Sequence, residues 1–250
     1  MRARGKWLGK LACKDYTFVM ANLRPSRRGV LGLFAASAFS LPTRAAGQVD
    51  LALVLAIDCS LSVDEYAYHL QLRGTGQAMI DSSFLQLIEG GDNKVIAVSA
   101  FLWSSPKSQQ VIVPWRILKS GRGADDIADE ILSAPRQIPA GATATGNALA
   151  FAQSLLAQAP GAARRVIDVS TNGHANMGQP VVPVRDQLVQ DGIVINGLAV
   201  TDREPDLASY LQREVIGGNG SFVIEANNYN AYTQAIRLKL FREISATTTA

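Results

Sequence analysis

Val54-Leu55-Ala56-Ile57-Asp58-Cys59-Ser60-Leu61-Ser62 is an apolar run that ends in one acid and two alternating hydroxyls. Its apolar part extends back to Asp50 without polar alternation, as a central strand covered on both faces requires. When a chain turns off such a strand, alternate side chains project to one side. Asp58, Ser60 and Ser62 are therefore expected to converge, with Cys59 and Leu61 turned to the core. One carboxylate and two hydroxyls form a hard-oxygen set that suits Mg²⁺ or Mn²⁺ and suits zinc poorly. The same residues also admit a structural reading: Ser62 and Glu65 have the spacing of a capping box, and Asp58 can cap a turn.

Outward from this stretch, short apolar runs alternate with amphipathic ones. Strands are predicted over 50–57, 94–102, 110–117, 165–170, 193–200 and 221–224, and helices over 63–82, 124–134, 146–159, 180–190, 206–215 and 229–244. Strand and helix in alternation predict an α/β fold: a doubly wound, mainly parallel six-stranded sheet with helices on both faces. Runs two and three leave no room for a helix. Ser104-Ser105-Pro106-Lys107-Ser108 reads as a hairpin loop, and Pro114 within run three fits an edge, so one edge strand is expected to be antiparallel. No repeat or linker divides residues 48–245, which read as one domain; 246–250 reads as a disordered tail.

Ligands of open parallel sheets bind beyond the carboxyl ends of the strands. Besides the stretch at Asp58, two further loops bring oxygen-bearing side chains there: Gly141-Ala142-Thr143-Ala144-Thr145-Gly146 and Ser170-Thr171-Asn172-Gly173-His174. Alone, the first reads as a helix cap and the second as a turn. Neither is a phosphate loop, and no dinucleotide fingerprint occurs elsewhere.

Taken together and in this order, the three loops resemble the metal-ion-dependent adhesion site of the von Willebrand factor type A domain. That family carries Asp-x-Ser-x-Ser after the first strand, a Thr in a Gly-rich loop and an Asp-Gly after the fourth strand. Asp58, Ser60 and Ser62 match the first part and Thr143 the second, with Thr145 as the alternative. At the third part this chain has Asn172 where the family has Asp. The resemblance spans residues 48–245 and implies the Rossmann-like fold of that family, with a metal held by Asp58, Ser60, Ser62, Thr143 and Asn172. In such sites the hydroxyls usually touch the metal and the acids often act through water. Asn172 can supply an oxygen but no charge, which implies weakened binding of Mg²⁺ or Mn²⁺. Phrases such as Val113-Pro114-Trp115 and Arg165-Val166-Ile167-Asp168-Val169-Ser170 further resemble a family of exported bacterial A-like domains of unassigned function.

Of 24 basic and 21 acidic residues, nine and one respectively fall within 1–45, so the remainder carries 15 against 20, a net −5. That balance removes the main support for binding nucleic acid. The basic leader has the order of an export signal. Ser26-Arg27-Arg28-Gly29-Val30-Leu31 resembles a twin-arginine motif, an apolar stretch of 13 residues, too short to span a bilayer, follows over 29–41, and small residues suited to a peptidase follow that. Residues 1–47 are thus expected to direct export of the folded domain to the periplasm or exterior, with Met20 as the expected true start. Cys59 is the only cysteine after residue 47, so no disulfide is expected within the body.

The reading that follows is a binding module whose metal accepts an acidic side chain from a protein partner, since a cation neutralised by one acid stays electrophilic. The alternative is a metal-independent assembly domain, with Asn172 as its best support. A hydrolase using Ser60 or Ser62 lacks a recognisable base and a nucleophile elbow. His174 reads as a surface loop residue, His69 as an ordinary helix residue and Asp168 as a buried acid bonded to backbone or a nearby loop. The charged segment 202–206 reads as a solvated loop with the option of joining a ligand rim.

Overall fold

In the computed structural model, residues 49–119 and 123–245 are described. The expected export signal and the expected disordered tail lie outside them. The first strand, β1 (Val49–Asp58), has all ten residues buried. It lies between β2 (Val95–Trp103) and β4 (Ala162–Thr171), with both pairings parallel. β3 (Gln109–Lys119) runs antiparallel to β2 at one edge, while β5 (Ile193–Val200) and β6 (Val223–Ala226) continue the sheet in parallel on the other. The strand order β3-β2-β1-β4-β5-β6 reverses direction between β1 and β4. Loops leaving those two strands diverge, which opens a crevice at their carboxyl ends.

Successive residues of β1 serve opposite faces. Leu51, Leu53, Leu55 and Ile57 join the core built with α1 (Glu65–Met79), α2 (Ser82–Gly90), α3 (Ala124–Leu132) and α7 (Tyr232–Ser245). Ala52, Val54 and Ala56 join the core beneath α4 (Thr145–Leu156), α5 (Val181–Gln190) and α6 (Leu207–Tyr210). A strand with no solvent face must be apolar on both parities, hence the unbroken run.

The expected six-stranded, doubly wound sheet with one antiparallel edge is observed. The hairpin turn is closed by Ser104 N donating to Ser108 O at 3.0 Å and Ser108 N to Ser105 O at 2.9 Å. Pro114 falls where the β2–β3 register shifts, between the pairs Val98–Arg116 and Ala100–Val113, so its missing N–H breaks no regular ladder.

Several element boundaries depart from expectation, and three are instructive. The helix over 63–82 is two helices: α1 ends at Met79, and Asp81 caps α2 by accepting from the Ser83 and Phe84 N–H groups at 2.9 and 3.3 Å. The helix over 206–215 is the single turn of α6 followed by a π-helical turn over Leu211–Val215. The last strand begins two residues later than 221. Gly218 and Gly220 adopt φ of +92° and +74°, and the Phe222 N–H is taken by the Asn196 side chain at 2.9 Å, which delays entry into the sheet. Among the described residues, no helix is long and apolar enough to cross a membrane.

Candidate functional site

The loop after β1 turns beside the crevice. Asp58 is fully buried and Ser60 nearly so, whereas Ser62 is half-buried. Cys59 faces the core as expected, but Leu61 does not: it is 76% exposed. The chain has left the strand by then, so its side chains no longer alternate about the sheet. The capping-box expectation also fails. The N-cap of α1 is Asp64, whose carboxylate accepts from Ala67 N–H at 2.8 Å, and this leaves the Ser62 hydroxyl for other contacts.

Those contacts join the first and third loops. Ser60 Oγ lies 3.0 Å from Ser62 Oγ, which donates to Asn172 Oδ1 at 2.6 Å, while Asn172 Nδ2 donates to the Ser62 carbonyl at 3.2 Å. Asp58 accepts from the Ser60 N–H at 2.7 Å and from the Thr171 hydroxyl at 2.6 Å. Sequence reasoning gave Thr171 no role. Its partner depends on strand register, Ile57 pairing with Ser170, which places Thr171 level with Asp58.

The second loop does not leave a strand, contrary to expectation; it comes from α3 and lies across the strand ends. Ala144 N donates to Ser104 O at 2.9 Å, Leu61 N to Gly141 O at 2.8 Å, and Ala142 N to Ser105 Oγ at 3.0 Å. A Cβ on Gly141 would stand 2.1 Å from Ser105 Oγ and one on Gly146 2.2 Å from the Gln179 carbonyl, so glycine is what lets these segments touch. Asn176 grips Thr143 at both backbone groups, its Oδ1 accepting from Thr143 N at 2.9 Å and its N donating to Thr143 O at 3.0 Å. Thr143 Oγ1 lies 3.7 Å from the point a Gly173 Cβ would occupy, which puts Thr143 beside the third loop. Thr145, the alternative, opens α4, and its buried hydroxyl makes no hydrogen bond among the described residues.

Electrostatically the site is lopsided. Burial pushes the Asp58 carboxyl above the usual carboxylate range, against the hydrogen bonds from Thr171 and Ser60. Every group bonded to it is neutral. The Arg136 guanidinium, which reaches the same loop, is committed elsewhere: it donates to the carbonyls of Val63 at 2.9 Å, Ser60 at 3.0 Å and Cys59, and sits over the Tyr68 ring. The buried Cys59 thiol is pushed up to about 12 by burial and by the Asp58 charge, which favours the thiol over the thiolate.

The donors fit a hard divalent cation in chemistry, being a carboxylate, hydroxyls and an amide oxygen, and the missing side chain at Gly173 leaves space beside them. No group of three His, Cys, Asp or Glu side chains able to hold a metal occurs among the described residues. His174 is not free on the surface: its ring stacks on Tyr210 at 4.2 Å and its Nε2 lies 3.5 Å from both Glu204 and Asp206. His69 is on the exposed face of α1, 3.1 Å from Glu65. Asp168 has a structural setting, but its partner is Lys239 of α7 rather than backbone or a loop.

Fold and loop order define a von Willebrand factor type A-like domain. The chain belongs to the family described as "Protein of unknown function (DUF1194)", which it matches over residues 48–248. No curated protein matches it. Among solved structures it is similar to proximal thread matrix protein 1 of the mussel byssus, at 15% identity over 78% of this chain and 46% of that one, with a TM-score of 0.54. It is likewise similar to the PilB minor pilin of Streptococcus sanguinis, at 17% identity over 80% of this chain and 63% of that one, TM-score 0.54. The pilus adhesin SpaC of Lactobacillus rhamnosus GG matches at 13% identity over 81% of this chain and 31% of that one, TM-score 0.55. The mussel protein has also been solved with zinc occupying its adhesion-site motif, a structure 14% identical over 79% of this chain and 46% of that one, TM-score 0.52. The chain thus spans less than half of the mussel protein, less than two thirds of the pilin and less than a third of the adhesin.

Proposed function

We propose that this domain is an exported binding module that holds Mg²⁺ or Mn²⁺ through Asp58, Ser60, Ser62, Thr143 and Asn172, and that it captures an acidic side chain of a protein partner. The observation that carries the reading is Asp58. A carboxylate withdrawn from water with only neutral hydrogen-bond donors is costly, and a cation arriving from solution removes the cost. The bound ion supplies an electrophilic centre for a carboxylate. Ser60, Ser62 and Thr143 present hydroxyl oxygens, and Asn172 an amide oxygen, without adding charge. Leu61 and Met177, 76% and 56% exposed on loops that flank the site, give a partner apolar surface to cover. That similar folds occur in a pilus adhesin and a minor pilin agrees with a role in protein contacts outside the cytoplasm. In this reading the basic N-terminal segment, within residues 1–47, holds the export signal.

A second reading is favoured by one contact pair. Ser62 and Asn172 already satisfy each other, at 2.6 Å and 3.2 Å, so the loops can close without a metal and the fold can act in assembly alone. A pull-down from the periplasmic fraction separates the two. Partners captured by wild type in Mg²⁺, and lost with chelator and with Asp58→Ala, are expected. Identical partners in all conditions would remove the metal-dependent model. A hydrolytic role has less support, since neither histidine contacts Ser60 or Ser62.

A further inference from the structure

The site has one acid where its relatives by motif have two, and the missing charge has a candidate source on a different loop. We propose that Glu204, on the loop between β5 and α6, is the second acid of the site and supplies the charge that Asn172 does not. This rests on the metal-binding reading above and names a residue outside its motif.

Glu204 is divided between two tasks. Its Oε2 accepts the His174 N–H at 2.9 Å, which fixes the carboxylate against the third loop immediately after Asn172 and Gly173. His174 Nε2 lies 3.5 Å from the same oxygen, and the ring is held in place by its stack on Tyr210, whose hydroxyl accepts from Ala175 N–H at 3.2 Å. Among the described residues Oε1 makes no hydrogen bond. It lies 3.6 Å from the point a Gly173 Cβ would occupy, and Thr143 Oγ1 lies 3.7 Å from that same point. The free carboxylate oxygen and the threonine hydroxyl therefore border one gap, kept open because residue 173 is glycine. The Glu204 side chain is 39% exposed, so the gap is reachable from solvent.

The charge geometry favours this acid over its neighbours. Of the acids on this loop, Glu204 is the one whose carboxylate borders the gap at Gly173, while Asp206 lies 3.5 Å from His174. A cation bordered by Asp58 and Glu204 would be flanked by acids from two sides of the crevice rather than from β1 and β4 alone. Asn172 would then be a relocation of charge rather than a loss.

The test is calorimetric titration of the full chain with Mn²⁺. Glu204→Gln keeps an oxygen able to accept from His174 N–H, so a purely structural role leaves affinity unchanged; the proposal expects affinity to fall about tenfold. Asn172→Asp is expected to recover that loss in the Glu204→Gln background and to gain less in wild type. Additive effects of the two changes would overturn the proposal. Gly173→Ala, which fills the gap at ordinary contact distances, is expected to weaken Mn²⁺ binding without lowering the melting temperature, and it stands in should Glu204→Gln misfold. If wild type binds, Asp58→Ala does not, and both Glu204→Gln and Gly173→Ala bind as wild type, Glu204 is excluded while the metal site stands. Absence of binding by wild type overturns both.

Discussion

Asp58 and Asp168 stand on neighbouring central strands, both almost wholly removed from solvent, yet they are treated in opposite ways. Asp168 Oδ1 is 2.6 Å from the ammonium of Lys239, which is 3.1 Å from Glu243 one helical turn on, and Glu243 accepts from Asn196 at 3.0 Å. That cluster ties α7 to β4 and β5 with a cation built into the chain. Asp58 has neutral donors, among them the Ser60 N–H and the Thr171 hydroxyl, and no ion pair among the described residues. The contrast separates two uses of a buried acid. One acid has its counter-charge built into the chain; the other has neutral partners and lies at the strand ends, where ligands of such sheets bind, so under the proposed function its counter-charge would come from solution.

The sharpest way to break the comparison is to remove the built-in cation. Lys239→Met leaves two buried acids facing each other and is expected to cost about 3–5 kcal/mol of folding stability in denaturant titration. If the loss is under about 1 kcal/mol, the two aspartates are not in different electrostatic states. Next in size is the response to metal. Mg²⁺ at about a hundred times its Kd is expected to stabilise wild type by about 2.7 kcal/mol, and to leave Asp58→Asn unmoved. Equal shifts in both proteins would mean that the ion binds elsewhere.

Without metal the order should invert. Burial raises the Asp58 carboxyl, so its ionised form weakens the folded state at neutral pH, and Asp58→Asn is expected to gain about 1 kcal/mol in chelator. A lower melting temperature for Asp58→Asn in chelator counts against this account. The smallest effect concerns pH. Burial raises both Asp168 and Glu243 above the usual carboxylate range, with the Lys239 charge opposing it. The folded state therefore holds protons that the unfolded chain has released, and stability from this cluster is present at low pH and declines as pH rises from the usual carboxylate range through the raised values. Glu243→Gln removes one of these acids while retaining an acceptor for Asn196, so it should flatten that decline in melts across pH 4–8 by a fraction of about 1 kcal/mol. An unchanged slope would place the proton elsewhere.

Much of this architecture was legible from local pattern. An apolar run without alternation identified β1 and Pro114 pointed to an edge, whereas Asp58, Ser60, Ser62, Thr143 and Asn172 were grouped by resemblance to the A-domain site and not by local pattern. What sequence could not reach depends on register and packing across long separations. Thr171 meets Asp58 because β4 lies beside β1; Lys239 meets Asp168 because α7 packs on that face; Glu204 meets Gly173 because β5 follows β4 in the sheet. Local misreadings had local causes. Ser62 has the spacing of a cap, but Asp64, two residues on, caps the helix instead. Asp81 restarts a helix so soon after Met79 that the two read as one.

Arg136 adds a consequence for how a ligand would be met. Its guanidinium takes three carbonyls that the chain presents as it leaves β1, those of Cys59, Ser60 and Val63. Backbone of this kind, freed from a sheet and not yet in a helix, would otherwise be the part of the crevice with most freedom to lose. Held by a side chain from a distant loop, it has already lost that freedom when the protein folds, so the entropy of ordering it is not charged against association. The loop would then bind as a rigid body, with speed set by encounter rather than by rearrangement.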